Sequence, residues 1–217
     1  MVLGFICSAG GSALFSALRI AADAGLVVRP VIFTDRDCGA RDSALAEGHV
    51  TRLIPFVDKA QFSADCAREF DTVGVRDVLL FYSRLIGEPL IKSLAVMNIH
   101  PSLLPAFKGI GAVQMAFDAK ALLLGCSLHE VDAGMDSGPL RSQVVSANLP
   151  CWSVEQAHKV SFLQKVWLTL NWIEMKVAGF ESTASIYDGI RSISLATHSL
   201  SGDVLSGFRA LELQELG

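Results

Sequence analysis

The sequence has few charged residues and no long apolar run, and both shortages narrow the kinds of protein it can encode. Charged side chains make up 18% of the 217 residues and hydrophobic side chains 51%, a balance that excludes an intrinsically disordered chain. Eighteen basic against 22 acidic residues give a net charge of −4, whereas proteins that bind a phosphate backbone are normally basic. No apolar stretch approaches the roughly 18 residues that a membrane-spanning helix needs. We therefore expect no nucleic-acid partner and no membrane association.

Cysteines are also few, and none of them forms a Cys-x-x-Cys pair. The five are Cys7, Cys38, Cys66, Cys126 and Cys151. Their long gaps argue against zinc-ribbon and dithiol-redox sites, so no metal is predicted. Scattered cysteines in an apolar chain are typical of reduced thiols in a cytoplasmic protein, and no basic segment of a secretory signal precedes the first apolar run. The low charge and a mean hydropathy of +0.44 predict an apolar surface patch, which is compatible with a homodimer interface.

Strand-like and helix-like segments alternate along the first hundred residues. Short apolar runs predict strands over 2–7, 26–33, 51–55, 77–82 and 96–99, and helical periodicity predicts helices over 13–24, 43–47, 60–72 and 88–94. Such alternation is typical of an α/β protein whose parallel sheet is covered on both faces, and the right-handed crossover rule makes that sheet open and doubly wound. Ligands bind at the carboxyl ends of such strands. The loops at 8–12, 34–37, 82–87 and 100–109 should therefore converge on one cleft.

The second half of the sequence has a different texture. A helix is predicted over 112–124, followed by strand-like segments over 126–131 and 140–148 on either side of a turn-rich loop. Two strands around such a loop predict an antiparallel addition to the edge of the mostly parallel sheet. A long helix is predicted over 154–178, and the last forty residues contain only short strand-like pieces.

Asn98 and His100 form the most informative polar pair. Alternation along a strand points both side chains to the same face. An amide donor beside an imidazole suits the polarisation of a carbonyl and the stabilisation of an oxyanion, and the imidazole can also transfer a proton near neutral pH. Taken alone, an Asn-x-His pair is more often a hydrogen-bonded structural pair, so both explanations stay open at this point.

Two further polar segments have a functional and a structural explanation each. Asp136 lies in a turn, where it could set the protonation state of a histidine or serve only the turn itself. Gly10-Gly11-Ser12 follows a strand and opens a helix, where backbone N–H groups attract anions, although a tight strand-to-helix turn needs the same residues. The chain has no G-x-S-x-G nucleophile elbow, so a serine hydrolase is unsupported.

Taken together, these motifs resemble the folate-dependent formyltransferase family, and within it the glycinamide ribonucleotide formyltransferases most closely. The resemblance is carried by NIHPSLLPAFKG from Asn98, by Gly125-x-x-x-His129 and by Asp136-x-Gly138-Pro139-x-x-x-Gln143. It covers residues 1 to about 195, including the SIYDGIRSI segment that begins at Ser185. We therefore predict a formyltransferase catalytic domain over 1–195 with a Rossmann-like formyltransferase fold, and a C-terminal tail over 196–217.

The resemblance implies transfer of a formyl group from 10-formyltetrahydrofolate, acting as co-substrate, to an amine of a small-molecule acceptor. It assigns the catalytic roles to Asn98, His100 and Asp136, and it places the acceptor at Gly10, Gly11 and Ser12. The folate-binding residues that it implies are Arg84, Leu85, Ile86, Val131, Asp132 and Met135. It also implies a cis peptide bond between Leu104 and Pro105, and it requires no metal.

Two departures from the family pattern concern the acceptor. The first loop reads Ala9-Gly10-Gly11-Ser12-Ala13, where the ribonucleotide enzymes have two asparagines, and the segment 161–166 (SFLQKV) lacks the family's acidic residue. The acceptor is therefore predicted to be a small amine other than glycinamide ribonucleotide. A formyltetrahydrofolate hydrolase and a non-catalytic folate-binding relative remain the alternatives.

Overall fold

Strands and helices alternate through the first half of the chain, as expected. A computed structural model of the protein describes residues 1–179, 185–188, 192–196 and 200–216. The elements of the first half are β1 (Val2–Cys7), α1 (Ser12–Asp23), β2 (Arg29–Thr34), α2 (Gly39–Ala46), β3 (Val50–Leu53), α3 (Lys59–Thr72), β4 (Asp77–Phe81), α4 (Glu88–Ser93) and β5 (Ala95–His100). The predicted elements thus all exist, with boundaries that move by up to four residues.

The second half contains two differences from the prediction. Its elements are α5 (Ala112–Asp118), β6 (Leu123–Glu130), β7 (Leu140–Ala147), α6 (Val154–Ala178), β8 (Ser185–Asp188), β9 (Ser192–Ala196) and α7 (Gly202–Leu216). The helix predicted to reach residue 124 ends at Asp118, because Lys120 is left-handed (φ 51°) and Leu123 and Leu124 pair with β7 instead. A helix, α7, follows β8 and β9 in the last forty residues, which were expected to contain only short strand-like pieces.

The sheet changes direction at one strand. Its order is β3-β2-β1-β4-β5-β6-β7-β9-β8. The first five of these strands pair in parallel, whereas β6 runs antiparallel to β5, and β7, β9 and β8 continue the antiparallel part. The prediction of a doubly wound parallel sheet with an antiparallel edge addition is therefore confirmed.

Each face of the sheet has its own hydrophobic core. Along β1, Leu3 and Phe5 pack into the core that contains α1, α6 and α7, whereas Ile6 packs into the core that contains α3 and α4. A strand buried on both faces is expected to be apolar throughout, which explains the run VLGFIC. The two cores hold the carboxyl ends of the parallel strands in a fixed arrangement.

The longest helix, α6, has a well-defined start and a buried centre. Ser153 and Gln156 form a capping box at its first turn, which satisfies backbone donors that otherwise have no partner. Further along, Trp172 packs edge-on against Phe5, and Trp167 packs edge-on against Phe208 of α7. No helix among the described residues is both long and apolar enough to cross a membrane.

Part of the predicted organisation lies outside the described residues. These are 189–191 of the SIYDGIRSI segment, and 197–199 and 217 of the predicted tail. The boundary between a catalytic domain ending at 195 and a tail beginning at 196 stays a prediction. Within the described part of that tail, Val204 and Phe208 of α7 are buried.

Candidate functional site

A cavity of about 540 Å³ opens at the carboxyl ends of β1, β4 and β5. It is lined by every residue that the sequence analysis assigned to a site: Gly10, Gly11, Ser12, Arg84, Leu85, Ile86, Asn98, His100, Val131, Asp132, Met135 and Asp136. Of the four loops expected to converge, the one at 34–37 does not line the cavity. It lies behind the wall instead, where Asp35 contacts Tyr82 and Arg84.

Asn98 and His129 face each other where the sheet changes direction. They are register partners in the β5–β6 ladder, and Asn98 Nδ2 lies 3.1 Å from His129 Nε2. The other ring nitrogen of His129, Nδ1, lies 2.7 Å from the carbonyl oxygen of Glu130. Because a carbonyl can only accept, Nδ1 carries the proton and Nε2 accepts a hydrogen bond from the Asn98 amide. One N–H of Asn98 is thereby held by His129, and the second is left for the cavity.

The imidazole of His129 is neutral. Its side chain is 3% exposed, and burial lowers its pKa, outweighing the hydrogen bond to the Glu130 carbonyl and the charge of Asp136. A histidine whose pKa lies below the ordinary value of about 6.5 carries no charge at neutral pH. His129 can therefore orient Asn98 as a hydrogen-bond acceptor.

His100 lies between two acceptors. Its Nε2 donates to the carbonyl oxygen of Phe107 at 2.8 Å, and its Nδ1 lies 3.3 Å from Oδ2 of Asp136. The Phe107 carbonyl places a proton on Nε2, so a neutral ring presents a bare Nδ1 to the carboxylate. The protonated ring finds an acceptor for each of its N–H groups, and a proton on Nδ1 lies within reach of Asp136.

The position of Asp136 is fixed by its backbone conformation as well as by its hydrogen-bond and ionic partners. Its φ of 49° is in the left-handed region, which Asp and Asn tolerate better than most residues. Its Oδ2 accepts a hydrogen bond of 2.9 Å from the Gly109 amide, and its Oδ1 lies 3.7 Å from Nε2 of His129. A Cβ at Gly138 would overlap the carbonyl oxygen of Glu130, so glycine is needed there for the loop to return past β6.

A second carboxylate, Asp35, lies behind the wall of the cavity among permanently charged partners. Its side chain is 1% exposed, and it accepts two hydrogen bonds from Arg36, at 2.9 and 2.6 Å. The Tyr82 hydroxyl donates to it at 3.4 Å, and Arg84 Nε lies at the same distance. Burial, followed by the charge of Asp35, raises the pKa of Tyr82. The Arg84 guanidinium is 4.2 Å from the centre of the Phe56 ring, so this network fixes the loop that follows β4.

The wall predicted to bind folate combines apolar side chains with a loop that is held by its own hydrogen bonds. Ile86 is buried, whereas Leu85 and Met135 are 44% and 54% exposed beside the cavity. Oδ1 of Asp132 accepts from the Gly134 amide at 2.9 Å and from the Ser137 hydroxyl at 2.8 Å. These hydrogen bonds hold the loop in its conformation, and the folate-binding role of this wall stays a prediction.

The opposite wall is made of the loop that opens α1. Gly11 is left-handed, with φ 66°, and caps the helix without a side-chain hydrogen bond. Glycine adopts this conformation at no steric cost. Gly10, Gly11 and Ser12 line the cavity, and their predicted contact with the acceptor stays a prediction.

Among the lining residues that the sequence analysis did not assign to a site are His129 and Lys165. His129 was noticed only as part of a motif, because its pairing with Asn98 depends on the register of two strands that lie thirty residues apart. Lys165 is the residue that α6 contributes to the lining. The available signal was a single lysine within the apolar run FLQKVWLTL, and periodicity alone does not say where its ammonium points.

The cavity has no thiol nucleophile, since none of the five cysteines lines it. Cys126 is fully buried, and burial raises the pKa of its thiol to about 11, which leaves it protonated and unreactive. No group of three or more His, Cys, Asp or Glu side chains that could hold a metal occurs in the part of the chain that the structure describes.

Comparison with known proteins gives a consistent match. Residues 4–162, well over half of the chain, match the family model described as "Formyl transferase". The chain belongs to the formyl transferase family. The resemblance to folate-dependent formyltransferases is thereby confirmed.

Solved members of the formyl transferase family share the fold. A glycinamide ribonucleotide transformylase 1 from Symbiobacterium toebii superimposes with a TM-score of 0.76 and 25% identity, over 90% of this chain and 94% of that one. The transformylase 1 from Geobacillus kaustophilus gives a TM-score of 0.75 and 27% identity, over 81% and 98% of the two chains.

Curated relatives are similar over shorter segments. A phosphoribosylglycinamide formyltransferase from Bacillus subtilis (strain 168) is 52% identical over 64 residues, which are 29% of this chain and 33% of that protein. A mitochondrial formyltetrahydrofolate deformylase 2 from Arabidopsis thaliana is 43% identical over 70 residues, or 31% and 21% of the two chains. The matches thus span about a third or less of these curated relatives.

Proposed function

We propose that this formyl transferase family member transfers a formyl group from 10-formyltetrahydrofolate to an amine of a small-molecule acceptor. The observation that carries the proposal is the meeting of Asn98, His100 and Asp136 at one cavity. Asp136 lies within 3.3 Å of His100, and a neutral His129 orients the Asn98 amide. Asp136 is far from Asn98 and His100 in the sequence, and turn or strand stability alone does not require it to meet them.

In the proposed reaction the neutral amine attacks the formyl carbon, which becomes tetrahedral and carries an oxyanion. The bond from that carbon to N10 of the folate then breaks, and N10 takes up the proton that the amine loses. The products are the formylated amine and tetrahydrofolate. No covalent bond to the protein is needed, which agrees with the lack of a cysteine among the residues that line the cavity.

Asn98 and His100 act on the oxyanion in different ways. The N–H of Asn98 that His129 does not hold is the direct hydrogen-bond donor, and such donors stabilise developing charge most effectively when they are fixed in advance. His100, in its protonated form, supplies positive charge while both of its N–H groups face acceptors. Asp136 is the counterion of that positive charge. Through Nδ1 of His100 it can also exchange a proton while the amine loses its own.

The two substrates are held on different walls of the cavity. Folate is placed against Arg84, Leu85 and Ile86 on one side and Val131, Asp132 and Met135 on the other, and the acceptor against Gly10, Gly11 and Ser12. Holding two reactants in line makes the attack effectively unimolecular.

We also propose that the protein acts in the cytoplasm, because its five cysteines are free and cytoplasmic proteins keep their thiols reduced. The homodimer stays a prediction.

Formyltetrahydrofolate hydrolysis is the second candidate function, because the Arabidopsis thaliana deformylase is 43% identical over 70 residues. In that reaction water replaces the amine and formate leaves. The same oxyanion donors would serve both reactions, so the geometry of Asn98 and His100 does not separate them.

The deciding experiment follows tetrahydrofolate release from 10-formyltetrahydrofolate with and without amines. We expect release to depend on an added amine, and glycinamide ribonucleotide to be a poor acceptor. Rapid release without any amine identifies a hydrolase, and folate binding without release identifies a non-catalytic relative; either result contradicts the proposal. Turnover of glycinamide ribonucleotide at rates normal for the family overturns the prediction of a different acceptor.

A further inference from the structure

The cavity has two sides that belong to the two cores of the protein. Ile86 and Val131, on the wall assigned to folate, pack against the core of α3 and α4. Ala13 of α1 and Leu163 and Val166 of α6 belong to the other core. Lys165 lies between those two α6 residues and lines the cavity. It therefore reaches the cavity from the side of α1, where the acceptor is placed.

Lys165 differs from the other charged residues of the lining. Arg84 is paired with Asp35, Asp136 is occupied by His100 and the Gly109 amide, and Asp132 is used by its own loop. The ammonium of Lys165 has no ion pair or hydrogen bond to any described residue. Its side chain is only partly exposed, and the helix residues on both sides of it are buried.

A cation in such a position has a direct effect on what can bind. Low-dielectric walls strengthen its field, so it attracts anions and repels a second cation. An amine acceptor is itself an ammonium ion in solution at neutral pH, and it must lose a proton before it can attack. An acceptor with no negative charge would therefore enter this side of the cavity against the field of Lys165.

We propose that Lys165 determines acceptor specificity by binding an anionic group, a phosphate or a carboxylate, on the amine acceptor. The acceptor is then an amine with a negatively charged group at its far end, and the neutral amine faces the formyl carbon. This inference rests on the proposed function, but the anion contact can be measured without folate.

The first test measures anion binding alone. The thermal unfolding midpoint is followed against inorganic phosphate and, separately, acetate, at constant ionic strength kept with chloride, for wild type and Lys165→Met, Lys165→Arg and Lys159→Met. Lys159 is an exposed lysine of the same helix that contacts the Glu215 carbonyl, so it controls for net charge. We expect Lys165→Met to weaken the apparent affinity for at least one anion by about tenfold or more, and the other two variants to keep it.

The second test compares matched acceptors with 10-formyltetrahydrofolate as donor. Glucosamine 6-phosphate is paired with glucosamine, and β-alanine with its amide. In wild type the anionic member of at least one pair should have the higher kcat/KM, by about tenfold or more, and Lys165→Met should remove that preference while Lys165→Arg retains it. The pair that shows the preference identifies phosphate or carboxylate as the recognised group.

The outcomes separate the two proposals. Equal anion binding in wild type and Lys165→Met, or an equal preference for the anionic acceptor in both, overturns the role of Lys165. If wild type binds an anion through Lys165 but transfers formyl to no amine, the proposed function fails while the anion contact stands. Binding of a folate analogue is measured in each variant, and it should be unchanged by Lys165→Met.

Discussion

Asp35 and Asp136 are both largely buried carboxylates beside the same cavity, and they differ in the kind of cation that they face. Asp35 lies at the end of β2 with Arg36 and Arg84 around it. Asp136 lies in the loop between β6 and β7 with His100 and His129 around it. A guanidinium stays charged at any pH at which the protein folds, whereas an imidazole gains and loses a proton near neutrality.

We propose that this difference separates a structural role for Asp35 from a chemical role for Asp136. The charges of the Asp35 cluster are fixed, and burial raises the pKa of Tyr82, so its hydroxyl stays protonated. This cluster can therefore hold the loop after β4 in place but exchanges no proton near neutral pH. In the proposed mechanism the Asp136 cluster, through the imidazole of His100, changes its charge during the reaction. The two carboxylates are alike in residue type and similar in burial, and their roles are assigned by their partners. Four substitutions test this assignment, beginning with the largest expected effect.

Replacing the chemical carboxylate should abolish most of the activity. Asp136→Asn keeps the shape of the side chain and tolerates the left-handed backbone conformation, but it removes the negative charge. We therefore expect kcat to fall by about a hundredfold or more. The unfolding midpoint should change little, since an amide oxygen can still accept from Gly109. Steady-state kinetics and a urea titration check both points, and turnover near that of wild type would remove Asp136 from the mechanism.

Removing the oriented amide of Asn98 should lower kcat by a similar factor. Asn98→Ala deletes the direct oxyanion donor, a loss of about a hundredfold in kcat by analogy with other oxyanion donors. The affinity for a folate analogue, measured by fluorescence titration, should stay within about threefold, because the donor acts on the transition state rather than the bound substrate. If affinity falls and kcat does not, Asn98 is a binding residue instead.

The structural carboxylate should show the opposite pattern. Asp35→Asn weakens the network around Arg84 and Tyr82, and we expect the free energy of unfolding to fall by about 1–3 kcal/mol. Folate-analogue affinity should drop because the wall of the cavity loosens, while kcat at saturating folate stays within about threefold, since no transition-state contact is lost. A fall in kcat as large as that of Asp136→Asn would contradict the division of roles.

The smallest effect concerns the pH dependence of stability. Burial lowers the pKa of His129 in the folded protein, so the unfolded chain binds the proton more readily as the pH falls below about 6.5. His129 thus costs stability below that pH and is neutral in its effect above it, with a slope of no more than about 1.4 kcal/mol per pH unit.

His129→Gln keeps an acceptor for Asn98 and a donor for the Glu130 carbonyl, and it does not titrate. Urea titrations between pH 5 and 7.5 should show a shallower loss of stability at low pH in this variant than in wild type. Identical slopes in the two proteins would mean that His129 is not the titrating group.

Local patterns predicted most of the helices and strands and part of the candidate site. Val2–Cys7 is readable as a buried strand, and alternation alone puts Asn98 and His100 on one face. The pairing of Asn98 with His129 and the enclosure of Asp35 depend on contacts between distant segments, which no local period contains. Leu123 and Leu124 show the same limit, because the pairing with β7 decided between helix and strand.

Asp136 also bears on how easily the protein could change its role in evolution. A φ of 49° admits few side chains, and asparagine is among them. The codons for these two amino acids differ by a single base. If Asp136 has the role proposed for it, one point mutation could give a well-folded pseudoenzyme that still binds its ligands. A protein that only binds and senses or scavenges these ligands could then arise from this fold by a single base change, with no change in packing.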